Sequence, residues 1–231
     1  MAARYAVYFA PPATESLWER ASMWLGRDAA TGALFEGPVA GMDRDRLLNF
    51  TGAPSRYGFH ATLRAPMRLQ PEVDDASLRS VLADFSARHL PFDMGPMRIA
   101  LVDGFVAIVP ETQPEQVSDF AQDLVETLEP LRAPLSEREL QRRLSADLSA
   151  RQRELLDRFG YPYVAEAFQF HMTLTDRLDP AAADEIATAA RTWFAPVLEE
   201  ARWLDRLSLF VEPEPAQDFR RVRDFPLGAP S

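Results

Sequence analysis

Cysteine and lysine are both absent from this chain of 231 residues. Without cysteine the protein has no disulfide, no thiolate nucleophile and no cysteine-ligated metal. Without lysine it has neither a Schiff-base amine nor the phosphate-binding lysine of a P-loop. All 25 basic residues are therefore arginines, and 35 acidic residues outnumber them, which leaves a formal net charge of −10. This balance disfavours binding to a long nucleic acid, which needs a basic surface, but it allows a small anionic ligand held by a few arginines.

Long apolar runs are also missing. No stretch approaches the roughly 18 residues of a membrane span, and the first residues, MAARYAVYFAPP, have no signal-peptide pattern. We therefore expect a cytoplasmic protein of a bacterium, without membrane contact. Apolar residues make up 47% of the chain and aromatic residues 10%, which is typical of a globular protein. No feature indicates an obligate protein partner, and the oligomeric state is left open.

The order of predicted elements repeats along the chain. Each half is predicted as strand, helix, connection, histidine-containing strand, helix and strand, over about 4–101 and 104–211, with a last strand at 218–225. The connection is predicted as a loop in the first half and as a helix at about 136–158 in the second. We therefore predict one domain over 1–231 with an α+β fold and an internal duplication. Its two pseudo-symmetric lobes would place antiparallel sheets around a central cleft, with the helices outside.

Histidine is scarce too, and two of the three histidines lie in matching phrases. His60 lies in FHATL and His171 lies in FHMTL. Because side chains alternate along a strand, Phe59, Ala61 and Leu63 are predicted to face the core. The same alternation places a set of polar side chains on the opposite face of each strand. On the first strand the set is His60, Thr62 and Arg64, and on the second it is His171, Thr173 and Thr175.

Two histidines and two threonines around one cleft are typical of phosphodiester chemistry. A neutral imidazole can take a proton from the attacking oxygen while a protonated one gives a proton to the leaving oxygen. Threonine hydroxyls can donate to the non-bridging phosphate oxygens, and Arg64 is predicted to neutralise developing charge. Since imidazoles ordinarily titrate near 6.5, the predicted rate profile is a bell between about pH 5 and 8. Tyr57 and Tyr163 flank the strands and are candidates for packing against the rest of the substrate.

The paired phrases resemble the two His-x-Thr signatures of the two-histidine (2H) phosphoesterase superfamily. The wider stretches WLGRDAATGA, RYGFHATLRAP and FGYPYVAEAFQFHMTLTDRL look more specifically like its branch encoded beside phosphonate-utilisation (carbon–phosphorus lyase) genes. The resemblance implies a bilobal, metal-independent phosphodiesterase without cofactors. It implies that His60 and His171 are the catalytic pair and that Thr62 and Thr173 bind phosphate. It also implies a small cyclic phosphate from phosphonate breakdown as the substrate.

Other functions stay open from the residues alone. The same family resemblance covers RNA 2′,3′-cyclic phosphodiesterases and 2′,5′-ligase-like enzymes, so the reaction direction is undetermined. A non-catalytic module that binds a phosphorylated ligand would use the same cleft. A metal site is the third alternative, but two histidines without a nearby carboxylate or thiolate make a poor ligand set, so no metal is predicted. The third histidine, His89, has no such phrase around it and is predicted to lie near the end of a helix.

Overall fold

The computed structural model describes residues 3–228. A seven-stranded sheet has the strand order β4–β5–β6–β2–β1–β8–β9, and a second sheet pairs β3 with β7. Every strand pairing in the two sheets is antiparallel. The strands are β1 Arg4–Phe9, β2 Ala61–Met67, β3 Phe92–Asp93, β4 Met97–Val102, β5 Phe105–Pro110, β6 Met172–Thr173, β7 Trp203–Leu204, β8 Arg206–Glu212 and β9 Arg220–Pro226.

Helices pack against the large sheet. Helix α5 contacts β2, α4 contacts β8 and β9, and α8 contacts β4, β5 and α1. This arrangement confirms the predicted α+β class with antiparallel sheets and external helices. The helices are α1 Ser16–Leu25, α2 Arg44–Leu48, α3 Gly52–Tyr57, α4 Asp75–Arg88, α5 Glu115–Leu128, α6 Glu137–Leu144, α7 Ala150–Phe159 and α8 Pro180–Leu198.

Apolar residues at helical spacing explain why these helices lie on the sheet. In α5, Val117, Phe120, Leu124 and Leu128 recur every three or four residues, and all four are buried. They join a continuous core that includes the buried sides of β1, β2 and β8. A smaller cluster under α7, which includes Val125 and Phe159, attaches that helix to the rest.

Strand order does not follow chain order in the large sheet. Its two sides meet at β2 and β6, with β5 and β4 beyond β6 and with β1, β8 and β9 beyond β2. Strand β4 comes from the first predicted repeat yet lies with β5 and β6, and β8 comes from the second yet pairs with β1. Each predicted repeat therefore contributes strands to both sides of the junction. The division into repeats at 4–101 and 104–211 stays a prediction about the origin of the chain.

The two connections differ from the sequence expectation in their local structure. The first, predicted as a loop, contains the short helices α2 and α3. The second, predicted as one helix over 136–158, is two helices, which corrects that prediction. The break has a local cause, because Ser149 begins α7 with its own capping box to Gln152, just as Ser136 begins α6 with Glu139. Within residues 3–228, no helix combines the length and apolar character needed to cross a membrane.

Candidate active site

One register pair between β2 and β6 decides where the two matching phrases meet. Ala61 and Met172 oppose each other, and both are fully buried. The residues on either side of this pair point to the opposite face of the sheet because side chains alternate along a strand. The strands are antiparallel, so the register sets each histidine across from the threonine of the other phrase. The four side chains brought together in this way are His60, Thr62, His171 and Thr173.

These four side chains line an open cavity of about 420 Å³, a volume typical of small-molecule sites. Its remaining walls come from β1, α3, α6 and the segment after α7. A neighbouring cleft of about 450 Å³ shares Thr62, His171 and Thr173 with it and continues past Phe105 and Tyr163. The chain therefore offers room for a reacting group at the histidines and for a larger substituent beside His171.

Both imidazoles are oriented by the same backbone contact. The Nδ1 atom of His60 lies 2.8 Å from the carbonyl oxygen of Gly58, and Nδ1 of His171 lies 2.8 Å from the carbonyl oxygen of Gln169. A carbonyl oxygen only accepts, so each Nδ1 must carry the hydrogen. In the neutral ring this leaves the lone pair on Nε2, at the opposite edge of the imidazole. Each ring is thus prepared to exchange a proton through Nε2.

The surroundings of the two imidazoles differ. The His60 ring stacks on the buried ring of Tyr8, with centroids 3.7 Å apart and an interplanar angle of 20°. The centroid of the Phe210 ring lies 6.2 Å from the centroid of the His60 ring. Burial lowers the pKa of His60 to about 4, while its Gly58 hydrogen bond raises the pKa and the nearby His171 lowers it further. His60 is therefore held in its neutral form at neutral pH.

The threonines of the two phrases are available to a ligand. Thr62 and Thr173 are partly exposed to the cavity, and neither hydroxyl hydrogen bonds to another group among residues 3–228. Thr175 also lines the cavity but is fully buried, and its Oγ1 accepts a hydrogen bond from the Val106 amide at 2.9 Å. A hydroxyl can still donate while it accepts, so Thr175 keeps one proton for a ligand.

The predicted tyrosines lie at the cavity wall. Tyr57 stacks on Phe219, with centroids 4.9 Å apart, and lies 6.3 Å from the His60 ring centroid. Tyr163 is 41% exposed and contacts the edge of Tyr161 at a centroid distance of 5.4 Å. Burial raises the pKa of Tyr161 to about 12, so its phenol stays protonated. These rings supply apolar faces on both sides of the histidines.

Arg64 does not join the cavity, contrary to the alternation predicted for β2. It is 2% exposed, and its guanidinium donates to Glu129 at 2.9 Å and to the Phe159 carbonyl at 3.3 Å. The reason is a register shift between β1 and β2. Tyr8 pairs with Thr62 but Val7 pairs with Arg64, so one residue of β2 is left over. A bulge of this kind interrupts the two-residue period and turns the Arg64 side chain inward.

Several wall residues were not predicted from the sequence. Tyr8 and Arg4 come from β1, and Arg142 and Arg143 come from α6. Alternation along β1 would have placed Arg4 and Tyr8 on one face, but nothing local connects that face to the histidine strands. Asp176 also reaches the wall, where its carboxylate accepts from the Gly52 and Ala53 amides at 2.9 Å each.

The third histidine lies elsewhere and has local partners. Nδ1 of His89 lies 2.8 Å from the Phe85 carbonyl oxygen, and Nε2 lies 2.9 Å from an Asp123 carboxylate oxygen. Its ring stacks on Phe85 at the end of α4. Across the described part of the chain, no three histidine, cysteine, aspartate or glutamate side chains converge as a metal-binding group.

Comparison with known proteins adds a family and several relatives. Residues 62–220 match a family described as "Protein of unknown function (DUF1045)". A curated protein of Laribacter hongkongensis, named "Ribose 1,5-bisphosphate phosphokinase PhnN", is 38% identical over 95% of this chain and 51% of its own length. A protein of the same name from Janthinobacterium is 37% identical over 94% of this chain and 49% of its own length.

The chain thus spans about half the length of these curated relatives. Among solved structures, one described as "phosphoesterase" aligns over 98% of this chain and 99% of its own, with 13% identity and a TM-score of 0.44. The family match and the curated relatives agree with the resemblance to the phosphonate-associated branch of the 2H phosphoesterases.

Proposed function

The chain belongs to the DUF1045 family, and for this member we propose a metal-independent phosphodiesterase activity on a small cyclic phosphate. One observation carries the proposal. Two imidazoles, oriented by equivalent backbone hydrogen bonds, share one cavity with two available threonine hydroxyls. This arrangement supplies a proton acceptor, a proton donor and two phosphate ligands around one centre.

The different surroundings of the imidazoles support a division of roles in hydrolysis. His60, kept neutral by burial against Tyr8, takes a proton from water through Nε2. The water oxygen forms a bond to phosphorus as the bond from phosphorus to the ring oxygen breaks. His171, when protonated, gives its Nε2 proton to that leaving oxygen. The products are a phosphate monoester and a free hydroxyl, and the two imidazoles have exchanged protonation states.

The threonines hold the phosphate between the two imidazoles. Because each histidine lies across from the threonine of the other phrase, each side of the phosphate meets one imidazole and one hydroxyl. Donation from Thr62 and Thr173 to the non-bridging oxygens would fix the phosphorus for in-line attack and stabilise the charge that develops on those oxygens. Thr175, Tyr57 and Tyr163 would contact the rest of the substrate.

The relatives' name suggests which small cyclic phosphate to test. Ribose 1,5-bisphosphate, named in the curated relatives, is the product expected when a 1,2-cyclic phosphate of 5-phosphoribose opens at its bond from O2 to phosphorus. A hydrolase that performs this step would supply a substrate to a kinase of that name. This proposal agrees with the predicted phosphonate-breakdown role, and the cytoplasmic location stays a prediction beside it.

A second candidate is the 2′,3′-cyclic phosphate end of a nucleotide or short RNA. The neighbouring cleft beside His171 is lined by the aromatic rings of Phe105, Tyr163 and Phe168, and such rings stack on bases. A long RNA chain is disfavoured by the net charge of −10. Ligase-like reversal and simple ligand binding use the same groups, and only product analysis separates them from hydrolysis.

The test is a turnover screen with 5-phosphoribosyl 1,2-cyclic phosphate, 2′,3′-cyclic AMP and a short RNA that ends in a 2′,3′-cyclic phosphate. We expect hydrolysis of the cyclic sugar phosphate in the presence of EDTA, and its loss in the His60→Ala variant. Activity that disappears in EDTA and returns with one specific divalent ion would contradict the mechanism. Tight binding of each compound without any product would support a binding module instead.

A further inference from the structure

Two arginines on α6 point to a second ligand group in the candidate active site. Arg142 and Arg143 line the same cavity as the catalytic candidates. The Arg143 guanidinium lies over the Tyr161 ring, with its carbon 5.0 Å from the centroid. Its Nε atom is buried and has no hydrogen-bond partner within the described residues. A buried donor without a partner costs free energy, so a ligand that accepts from it would recover that loss.

Nearby carboxylates are committed elsewhere. Glu139, on the same helix, accepts from Arg68 at 2.9 Å and from the Ser136 hydroxyl and amide. Asp176, on the cavity wall, accepts from two backbone amides. Among residues 3–228, neither Arg142 nor Arg143 forms a salt bridge. They therefore supply positive charge to a cavity in a protein whose net charge is −10.

Three other arginines that are buried or line the cavity are neutralised by carboxylates. Arg4 pairs with Glu212, Arg64 pairs with Glu129, and Arg221 pairs with Asp224. The uncompensated pair belongs to α6, a helix of the connection between α5 and β6 and not of either histidine strand. A desolvated cation is costly without a counter-charge, so a bound anion would compensate these two guanidiniums.

The charge of the reacting group does not account for two more cations. A cyclic phosphodiester carries one negative charge, which a protonated His171 balances, and the two threonine hydroxyls donate to its oxygens. A phosphate monoester carries about −1.5 to −2 at pH 7 and has three acceptor oxygens. Two guanidiniums, each with several N–H donors, match such a group in charge and in hydrogen bonding.

We propose that Arg142 and Arg143 form a second anion subsite for a phosphate monoester of the same substrate molecule. This assignment rests on the proposed function. The substrate class is then a small molecule with two phosphorus groups, a cyclic diester at the histidines and a monoester at α6. The subsite selects against cyclic phosphates that lack the second group. It also gives a function to the helix that distinguishes the second connection from the first.

Calorimetry with ribose 1,5-bisphosphate tests the subsite without turnover. We expect Arg142→Gln and Arg143→Gln each to weaken its binding about tenfold, the size of one charged hydrogen bond to phosphate. Arg138→Gln is the matched control, because Arg138 lies exposed on the same helix and outside the cavity. Equal weakening by Arg138→Gln would reduce the effect to general charge and overturn the subsite, as would unchanged binding in both cavity variants.

Turnover gives a second and separate measurement. Wild type is expected to hydrolyse 5-phosphoribosyl 1,2-cyclic phosphate with a kcat/KM about 100-fold above that of ribose 1,2-cyclic phosphate, and the double Arg variant should lose this preference. If both compounds are hydrolysed equally well, the proposed function stands and the subsite falls. If neither is hydrolysed but bisphosphate binding depends on both arginines, the subsite stands and the function falls.

Loss of folding in one variant does not leave the subsite untested. Arg143 packs over Tyr161, so Arg143→Lys is made beside Arg143→Gln to retain the charge without the planar guanidinium. Arg142 is exposed, and its replacement by Gln should leave the fold intact. Weaker bisphosphate binding in Arg142→Gln, with an unchanged melting temperature, supports the subsite. Unchanged binding in that folded variant contradicts it.

Discussion

The two histidine half-sites have the same backbone geometry and different surroundings. In both, the imidazole Nδ1 lies 2.8 Å from the carbonyl oxygen two residues earlier in the chain. His60, however, stacks on the buried ring of Tyr8, whereas His171 also lines the neighbouring cleft. The equivalent hydrogen bonds fix the tautomer of each ring. Burial of the ring, which stacks on Tyr8, lowers the pKa of His60, so the two copies of one phrase place their imidazoles in different environments.

The halves are also joined through their connections. Asp176, just after the second phrase, holds the start of α3 by accepting from the Gly52 and Ala53 amides, and its own amide donates to the Phe50 carbonyl at 2.6 Å. The first connection is thus fixed by the second half, while α6 extends over the cavity from the second connection. The asymmetry at the histidines is therefore matched by an asymmetry in what surrounds the cleft.

Removing either imidazole should cause the largest loss of turnover. We expect His60→Ala and His171→Ala each to lower kcat on a confirmed cyclic substrate by about 10²–10⁴-fold, because each removes one proton-transfer group. His89→Ala is the control, since His89 lies outside the cavity and is bound to Phe85 and Asp123. Near-normal turnover in either cavity variant, with the fold intact by circular dichroism, would show that the two rings do not share one reaction.

The threonines should behave more symmetrically than the histidines. Thr62→Val and Thr173→Val each remove one hydroxyl with little change of shape, and we expect a loss of kcat/KM of about 10- to 100-fold in each. The pH–rate profile should keep its form, because a threonine hydroxyl does not titrate in this range. A large effect at one position and none at the other would place the phosphate in only one half-site.

Tyr8 is the residue expected to separate the two histidines in pH dependence. Since burial lowers the pKa of His60 to about 4, the acidic limb of kcat/KM should lie below the predicted range of about pH 5–8. Tyr8→Leu removes the stacked ring and admits water, so the limb should move up toward 6.5, the ordinary value of histidine. Tyr8→Phe retains the ring and should leave the limb in place. Identical profiles in Leu and Phe variants would exclude burial by Tyr8 as the cause.

Much of this site could be predicted because the two phrases carry their own periodicity. Alternation along the strand correctly places Phe59 and Leu63 in the core and sets His60 and Thr62 on the cavity face. The same rule fails at Arg64, only two residues later, because the pairing with β1 shifts there. A bulge depends on the partner strand, so a single strand gives no sign of it.

The strand order and part of the cavity wall depend on contacts between segments that are far apart in the sequence, so local patterns do not predict them. The antiparallel α+β class follows from local patterns, but the position of β8 and β9 beside β1 depends on pairing between distant segments. For the same reason nothing in the sequence QRRL indicates that Arg142 and Arg143 line the same cavity as the histidines. The break between α6 and α7 is different. Ser149 and Gln152 form a capping box that is visible in the sequence. Leu140, Leu144, Leu148 and Leu155, which lie at helical spacing on both sides of it, favour the prediction of one continuous helix.

Folding stability gives the smallest effect and a test that needs no substrate. The pKa of His60 is lowered to about 4 in the folded protein, against about 6.5 in an unfolded chain. Above pH 6.5 the ring is neutral in both states and contributes no pH dependence. As the pH falls from about 6.5 to about 4, the unfolded chain binds a proton that the folded ring does not, so stability is lost in this window.

His60→Asn removes that proton uptake and should flatten the decrease of stability with falling pH. His171→Asn is the matched variant at the equivalent position of the other half-site, and it controls for the replacement of a cavity histidine by asparagine. The measurement is the free energy of unfolding by urea at several pH values between about 4 and 7. Subtracting each variant's curve from that of wild type cancels the carboxylates common to both. Parallel curves for wild type and His60→Asn would show that His60 titrates alike in the folded and unfolded chains. In that case a difference in environment between the two half-sites could not explain separate roles for the two histidines.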